Sequence, residues 1–388
     1  MSGTAMRRVW FIVESGTDAR IVDALAHRVD LAVLARGIPG GRAISQPTAH
    51  PVTIAAPGRV AFAWRVFVTL LRAAPVDAIL VQGYSLAALA ANLAARLRGV
   101  QSWMLVCSPT AEYYETRRAA GYPFSRVTLA AITVLARLNA IAGKGYVVLS
   151  QHLHDVVRHS DARHPVRVIP IYGIDLDRFR PGVDSGTARR QRGLPATGQI
   201  VFSSSRVAPE KDTLTLIDAF ARLVQEGRDV YLLNRSGGFR EFLDYAQRAG
   251  VAGRVIATDA VDPRGELPLD YAAADVCVQA SRAEGLGFSV LEALACGTPA
   301  VVSAVGGLTE TVKDGVTGWT VPPGDAAALA AALRDALDRP DEARRRAAAG
   351  AELVRARFES NAAFDALAVT LVEDRATPDR NPAQAGNR

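Results

Sequence analysis

Cysteine is scarce in this sequence: only Cys107, Cys277 and Cys296 occur among 388 residues. Two lie in apolar runs typical of buried strands, and the third ends an apolar helix. An odd number without paired spacing argues against a disulfide framework and against a zinc site. We therefore expect three packed, free thiols in a reducing compartment.

Long apolar runs are also missing. No stretch of about 18 consecutive apolar residues occurs, so the sequence predicts no transmembrane helix. Residues 1–8 lead into a strand-like run without the charged and apolar regions of a secretory signal. We expect a cytoplasmic protein, with contact at the inner face of the membrane as an alternative.

No basic block with interleaved aromatic residues is present, although the formal net charge is +6. Arg and Lys residues are scattered along the chain instead, which argues against a nucleic-acid partner. The charge fits a nucleotide or a membrane surface, and it fits an ordinary Arg-rich surface equally well. The oligomeric state cannot be read from these features.

Short apolar runs alternate with Ala- and Leu-rich helical stretches, which predicts parallel sheets covered on both faces. The predicted strands are Val9–Val13, Leu31–Leu34, Ala78–Val81, Trp103–Cys107, Tyr146–Leu149, Val166–Pro170, Ile200–Ser204, Val230–Leu233, Val255–Thr258, Val276–Gln279, Pro299–Ser303 and Trp319–Val321. The polar segment Asp175–Gln199 separates the two sets of strands as a linker. We therefore predict an α/β fold of two doubly wound, Rossmann-like domains.

The predicted division has four parts. Residues 1–180 form an N-terminal Rossmann-like domain and residues 181–357 a C-terminal Rossmann-like domain. Residues 358–372 form a helix that returns to the first domain, and residues 373–388 are a polar, disordered tail. Open α/β domains bind ligands beyond the carboxyl ends of their strands, so the loops there must carry the function.

One such loop is Phe202–Lys211, which joins a strand to a helix and contains Arg206 and Lys211. Two cations beside a helix N-terminus can bind a diphosphate, because the guanidinium, the ammonium and the helix dipole all favour anions. Spacing alone leaves a solvated pair of surface cations equally open.

A second loop contains Glu284, Gly285 and Gly287 and runs into a helix that carries Glu292. The glycines allow the backbone to approach a ligand closely, and the first N–H groups of the helix can hold a phosphate. Glu284 can accept hydrogen bonds from sugar hydroxyls, and Glu292 can reach a ribose or a base. A capped helix with an acidic first turn is the simpler interpretation, but it does not account for both glycines and the second acid.

Together these stretches resemble the donor-binding half of glycosyltransferase family 4, the retaining group with the GT-B fold. The resemblance covers roughly residues 166–340 and is carried by motifs in the family's order. They are Tyr172-Gly-Ile-Asp175, Arg206…Glu210-Lys211, Glu284-Gly-Leu-Gly-Phe-Ser-Val-Leu-Glu292-Ala, Gly297-Thr-Pro299, Gly306-Gly-Leu-Thr-Glu310 and Pro323-Gly-Asp325.

The resemblance implies a GT-B protein with two domains facing across a cleft and a nucleotide-sugar donor, most often linked to UDP. It implies that residues 1–180 bind the acceptor and residues 181–357 bind the donor. It implies that Arg206 and Lys211 hold the diphosphate, that Glu284 faces the transferred sugar and that Glu292 binds the ribose. The backbone of Gly285, Leu286, Gly287 and Phe288 would offer N–H groups. No metal and no other cofactor is expected, because the two cations take the place of Mg²⁺.

The N-terminal half departs from the family pattern. Its first loop has one glycine, Gly16, where the family often has two, and we retain Gly16 as a donor-binding candidate. The family often places a His after a middle strand, near the reacting sugar, but no His follows the strand Trp103–Cys107 here. Ser108, Thr110 and Glu112 stand there instead, and we take them as acceptor candidates, with a simple helix cap as an equal alternative. Arg235 replaces part of a Gly-rich turn and is a further donor-phosphate candidate.

The acceptor stays open among a natural-product scaffold, a lipid-linked saccharide and a polysaccharide. A nucleotide-sugar epimerase, a phosphorylase and a non-catalytic nucleotide-binding relative are alternatives to a transferase. Peripheral membrane contact is a further hypothesis, opposed by an ordinary core-facing helix stripe. It rests on residues of apolar and basic character, namely Trp64, Arg65, Phe67, Leu71, Arg72, Arg117, Arg118, Arg126 and Arg137.

Overall fold

A computed structural model describes residues 6–14, 16–38, 43–44, 47–123, 126–259 and 265–372. The tail predicted to be disordered lies outside the described residues. The described strands are β1 (Arg8–Val13), β2 (Asp30–Arg36), β3 (Val52–Ala55), β4 (Ala78–Gln82), β5 (Gln101–Val106), β6 (Tyr146–Val148), β7 (Val166–Val168), β8 (Gln199–Ser203), β9 (Val230–Arg235), β10 (Val255–Thr258), β11 (Val276–Gln279), β12 (Ala300–Ser303) and β13 (Trp319–Val321).

The α-helices of the same part of the chain are α1 (Ala19–Ala26), α2 (Arg59–Arg72), α3 (Leu86–Arg98), α4 (Thr110–Ala119), α5 (Arg126–Ala142), α6 (Gln151–Ser160), α7 (Ser185–Arg192), α8 (Thr213–Gln225), α9 (Phe239–Arg248), α10 (Glu266–Ala273), α11 (Phe288–Ala295), α12 (Leu308–Thr311), α13 (Ala326–Asp338), α14 (Pro340–Arg357) and α15 (Ser360–Val372). Short 3₁₀-helices occur at Pro209–Lys211 and Ala252–Arg254.

The chain divides into two compact units. The first contains residues 1–107, 123–172 and 361–388, and the second contains residues 108–122 and 173–360. This division differs from the predicted one in three places, because residues 173–180, residues 358–360 and the segment 108–122 with α4 belong to the second unit. Most of α15 belongs to the first unit, where Phe364 and Leu367 are buried and Arg28 pairs with Asp365 at 2.6 Å.

The first unit is built on a parallel seven-stranded sheet in the order β3-β2-β1-β4-β5-β6-β7. Its central strands β1 and β4 are almost wholly buried, as their continuous apolar sequences predict. Strand β3 at the edge was not predicted from sequence. Its four residues have exposed or half-buried side chains, so no apolar run marks it.

The second unit is built on a parallel six-stranded sheet in the order β10-β9-β8-β11-β12-β13. The chain adds strands outward from β8 in one direction and then starts again beside it with β11. This reversal is a topological switch point, where the loops that follow two neighbouring strands diverge and leave a ligand crevice. The two loops are the ones that contain Arg206 with Lys211 and Glu284 with Gly287.

The three cysteines are free, as predicted, and Cys277 and Cys296 are buried. Burial raises the pKa of the Cys107 thiol to about 12, so this thiol is not a reactive nucleophile. None of the described helices is long and apolar enough to cross a bilayer.

Candidate functional site

The loop after β8 ends in a tight turn that is fixed by contacts of Asp212. Residues 209–211 form a 3₁₀-turn, and Asp212 ends this turn with a positive φ of 48°. The Asp212 carboxylate accepts a bond from Thr215 Oγ1 at 2.8 Å and pairs with Arg282 Nε at 2.8 Å. Because Arg282 belongs to the loop after β11, this ion pair ties the two loops together.

Glu210 is a fully buried carboxylate between two guanidinium groups. Arg117 donates from Nε to Oε2 at 3.2 Å and from Nη2 to Oε1 at 3.0 Å, and Arg206 Nη2 donates to Oε1. Burial alone would raise the pKa of Glu210, but the bonds from Arg117 and the charges of both arginines hold it below its usual value. The Arg206 side chain stays 52% exposed, so about half of it is accessible to a ligand.

Lys211 forms an ion pair with Glu284, and the amide Nε2 of Gln279 donates to the same carboxylate oxygen, Oε2. Ser289 Oγ donates to Gln279 Oε1 at 2.6 Å and fixes the amide in this orientation. The sequence did not indicate Gln279 or Ser289 as site residues. Their positions, at the end of β11 and in the first turn of α11, are the signal that could have found them.

Two glycines shape the backbone beside Glu284. Gly287 precedes α11 with φ of +91°, and a Cβ there would lie 2.4 Å from Leu308 Cδ2. A Cβ on Gly307 would lie 2.3 Å from the carbonyl oxygen of Gly285, and Gly307 N–H donates to Glu284 O at 3.1 Å. The loops after β11 and β12 therefore pack backbone to backbone.

This packing fixes the backbone segment of the second unit whose N–H groups are predicted to bind the nucleotide sugar. Gly285, Leu286 and Gly287 are buried, and Phe288 is half-buried at the N-terminus of α11. The positive end of the helix dipole at this N-terminus favours an anion.

Glu292, one turn into α11, is half-buried and accepts a hydrogen bond from Tyr271 Oη at 2.9 Å. The Tyr271 hydroxyl also lies 3.3 Å from Ser204 Oγ at the end of β8. Burial, followed by the Glu292 charge, raises the pKa of Tyr271 well above its usual value, so the phenol stays protonated and can donate. Tyr271 and Ser204 are site residues that sequence reasoning missed.

Arg235 lies apart from this group of contacts. Its Nη1 donates to Thr258 Oγ1 at 2.8 Å, and its Nε lies 3.4 Å from Asp270 Oδ2. Burial is the largest influence on Arg235 and lowers the pKa of its guanidinium. The guanidinium is thus part of a buried ionic group of the second unit, which also contains Arg192, and a role in phosphate binding stays a prediction.

The acceptor candidates Ser108, Thr110 and Glu112 lie at and just before the start of α4, and all three are half-buried. Tyr113, next in the sequence, is close enough to Glu284, Glu210 and Arg206 for their charges to act on it. Burial first, and then Glu284 and Glu210, raise the pKa of its phenol above the usual value. The segment 108–122 and the two loops therefore share one part of the second unit.

Gly16 lies in the first unit and is exposed. The next residue, Thr17, is fixed by a backbone bond to Ala43 O at 3.0 Å and by its hydroxyl, 3.5 Å from Tyr172 Oη. Within residues 6–372, apart from the gaps stated above, no group of three or more His, Cys, Asp or Glu side chains could hold a metal ion.

Comparison with known proteins finds a sequence-family match within the second unit. Residues 184–353 match the sequence family described as glycosyl transferases group 1. The chain is 40% identical to a D-inositol 3-phosphate glycosyltransferase of Xylanimonas cellulosilytica over 201 residues, which are 50% of this chain and 48% of that protein. It is 38% identical to a GDP-mannose-dependent alpha-(1-6)-phosphatidylinositol monomannoside mannosyltransferase of Mycolicibacterium smegmatis over 188 residues, 46% and 47% of the two chains. The chain therefore matches about half the length of these relatives.

Solved structures extend the similarity to the whole fold. A sucrose-phosphate synthase of Thermosynechococcus elongatus superposes with a TM-score of 0.75 at 24% identity, covering 93% of this chain and 97% of that one. Anabaena HepE, solved in complex with UDP-glucose, superposes with a TM-score of 0.74 at 21% identity, covering 94% and 99%. The fold is the GT-B fold, with two Rossmann-like α/β units.

Proposed function

We propose that this chain, whose residues 184–353 match the glycosyl transferases group 1 family, transfers a sugar from a nucleoside-diphosphate donor to a hydroxyl acceptor. We further propose that the anomeric configuration of the sugar is retained. The observation that carries the proposal is the contact between Lys211 and Glu284 at the switch point of the second sheet, beside the exposed guanidinium of Arg206.

The charges at this point suit a departing nucleoside diphosphate. Arg206 and Lys211 bring two cations, and the N-terminus of α11 adds a partial positive charge. Stabilising the negative charge that develops on the leaving group is the main catalytic task in such a transfer. The Glu284 carboxylate faces the same region, where its second oxygen can accept a bond from a hydroxyl of the transferred sugar.

Glu292 has the position of a ribose ligand. It lies one turn beyond the phosphate-binding helix N-terminus, and Tyr271 already donates to one of its oxygens. A carboxylate held in this way can accept bonds from two neighbouring ribose hydroxyls without reorganising. We propose a UDP-linked or GDP-linked donor, since HepE was solved with UDP-glucose and the mycobacterial relative depends on GDP-mannose.

We propose that transfer needs no metal ion, because Arg206 and Lys211 supply the charge that Mg²⁺ would supply. Transfer activity measured with and without EDTA tests this. Full activity in EDTA is expected. Loss of activity on chelation and recovery with Mg²⁺ would contradict metal independence without contradicting sugar transfer.

The activity itself is tested in two steps. Thermal unfolding is first measured with UDP-glucose, GDP-mannose and related nucleotide sugars, since a bound donor raises the unfolding temperature. The stabilising donor is then incubated with inositol phosphates, lipid-linked saccharides and natural-product hydroxyls, and the new anomeric linkage is determined by NMR. Retention is expected. Conversion of the donor into a different nucleotide sugar without an acceptor would indicate an epimerase. Binding of the donor without turnover would indicate a non-catalytic relative.

We propose in addition that the first unit binds an anionic membrane surface, which would bring the enzyme to a lipid-linked acceptor. Helix α2 packs on α3, and α3 packs on α5. These three helices contain no Asp or Glu, whereas the described side chains of Arg65, Arg72, Arg96 and Arg137 are exposed. Their exposed large apolar residues are Val60, Trp64, Leu71, Leu86, Leu93, Leu97, Val127, Val134, Leu138 and Ile141.

This surface, the α2-α3-α5 face, is not the core side of α2, which buries Phe62, Val66 and Leu70 instead. Exposed apolar side chains and exposed arginines on helices that contain no acidic residue fit a bilayer that carries negative headgroups. Two members of the predicted membrane set, Arg117 and Arg118, lie on α4 in the second unit, and Arg117 forms an ion pair with Glu210.

Vesicle co-sedimentation tests the α2-α3-α5 face. The protein should bind phosphatidylglycerol vesicles, bind phosphatidylcholine vesicles far less, and dissociate as salt is raised. Trp64→Ser together with Leu138→Ser should abolish binding. Val316→Ser, at a residue 54% exposed in the second unit, is the matched control. Self-association of the free protein that the double variant removes would instead assign the face to a second copy of the chain.

A further inference from the structure

Helix α4 contacts the donor loop, the segment after β8 that contains Arg206 and Lys211. None of the α4 residues is fully buried, and Tyr113 is half-buried. A cavity of about 730 Å³ lies along it, lined by Glu115, Thr116 and Ala119 of α4 and by Val207 and Pro209 of the loop. The bond pair from Arg117 to Glu210 links α4 to the same loop.

The geometry of this link is unequal for the two arginines. Arg117 bonds both oxygens of Glu210, in the paired arrangement that is strongest between guanidinium and carboxylate. Arg206 has one bond, from Nη2 to Oε1, and its side chain is half exposed. The three side chains together carry one net positive charge, on the arginine that faces solvent.

We propose that Arg117 is a positioning residue of the donor site. By holding both Glu210 oxygens, it limits Arg206 to a single bond with Glu210 and leaves the rest of that guanidinium for the donor diphosphate. The inference rests on the proposed function, because it assumes that Arg206 binds the donor. It also connects α4, whose start bears Ser108, Thr110 and Glu112, to the donor loop.

Removal of Arg117 has a defined physical consequence. The buried Glu210 carboxylate cannot stay unpaired at Oε2, since a buried charge without a partner is costly. Arg206 is the nearest replacement and would turn both of its Nη groups inward. The donor would then lose a charge-assisted hydrogen bond without any change in a residue that touches it.

The test measures binding of UDP and of GDP by calorimetry, with each nucleotide titrated into the unaltered protein, Arg117→Gln, Arg206→Gln and the double variant. Arg117→Gln should weaken binding of the preferred nucleotide about tenfold, the scale of one charged hydrogen bond. The double variant should bind no more weakly than Arg206→Gln, because Arg117 acts through Arg206. Arg117→Lys should recover part of the affinity.

Arg118→Gln is the matched control, since it removes the same charge from an exposed neighbour on α4. Unchanged affinity in Arg117→Gln, or losses that add in the double variant, would overturn the inference. A lower binding stoichiometry with unchanged affinity would also overturn it, because the lost binding would then come from misfolded protein. If the unaltered protein binds neither nucleotide, the proposed function fails, and the inference fails with it.

Discussion

At the scale of single residues, Glu284 is the side chain on which the proposed chemistry depends most. Lys211 and Gln279 both bond its Oε2 atom, so the carboxylate is oriented before a ligand arrives. Preorganised groups of this kind cost no reorganisation during the reaction. The orientation in turn depends on Ser289, which fixes the Gln279 amide.

Glu284→Gln should lower kcat by about 10²-fold, the scale observed for loss of one preorganised polar group in an active site. The amide keeps the shape of the side chain but not its charge, so donor KM should change much less than kcat. Steady-state kinetics with the stabilising nucleotide sugar measure both. Glu352→Gln, at a side chain 74% exposed, is the control and should have no effect. Full activity in Glu284→Gln would remove this residue from the mechanism.

Gly287→Ala tests the backbone beside Glu284. The new Cβ would meet Leu308 at 2.4 Å, in a conformation with φ of +91° that L-residues avoid. We expect a loss of about 1–3 kcal/mol of stability and weaker nucleotide binding. Gly315→Ala shares the positive φ, at 74°, but its Cβ meets no atom within 4 Å. It should lose stability and keep affinity, and equal affinities in both variants would show that the close contact at Gly287 is not functional.

At the scale of elements, Asp161 joins β6 to the end of α6 in the first unit. Its buried carboxylate accepts bonds from Tyr146 Oη at 2.8 Å, His164 Nδ1 at 2.6 Å and Arg163 N at 3.0 Å. Burial alone would raise the pKa of Asp161, but these bonds lower it below the usual value. A group with a lowered folded-state pKa stabilises the protein above its unfolded pKa of about 3.9 and loses that contribution as the pH falls.

Asp161→Asn should therefore cost about 1–3 kcal/mol at pH 7, because Tyr146 and His164 lose a charged acceptor. The difference from the unaltered protein should shrink as the pH is lowered below about 4. Urea unfolding between pH 3 and pH 7 measures both effects. Asp155→Asn, at a carboxylate 68% exposed, should stay within about 0.5 kcal/mol of the unaltered protein. A cost that does not depend on pH would contradict the role of the charge.

At the scale of the whole molecule, the chain returns to its first unit at the end. Helix α14 belongs to the second unit, whereas residues 361–372 of α15 belong to the first. Leu367 is fully buried there, and Arg28 lies over Phe364 at 6.0 Å. Stability of the first unit therefore depends on residues that follow the second unit in sequence.

Leu367→Ala should destabilise the protein by about 2–5 kcal/mol, the usual range for a buried leucine. Val369→Ala, at a residue 49% exposed on the same helix, is the control and should have little effect. Hydrogen exchange should show the loss of protection in β1, β2 and α1 rather than in β8 to β13. Faster exchange confined to the second unit would contradict this assignment of α15.

The sequence by itself determined twelve of the thirteen described strands and the donor motifs. All twelve predicted strands are present, because strands buried in parallel sheets need continuous apolar residues that are visible in the sequence. The two α/β units were predicted for the same reason. The loops with Arg206, Lys211, Glu284 and Glu292 were predicted from their glycines and charged residues. Glycine and charge mark the carboxyl ends of strands, where ligands bind. Edge strand β3 escaped prediction because it buries little.

Only the tertiary structure decided which side chains meet. The sequence could not show that Gln279 and Ser289 orient Glu284, that Tyr271 bonds Glu292, or that Arg117 reaches Glu210 from 93 residues away. These partners come from different strands and helices, and ordinary polar residues give no pattern along the chain. The order of the second sheet brings the loops after β8 and β11 together, and that proximity turns separate motifs into a single site.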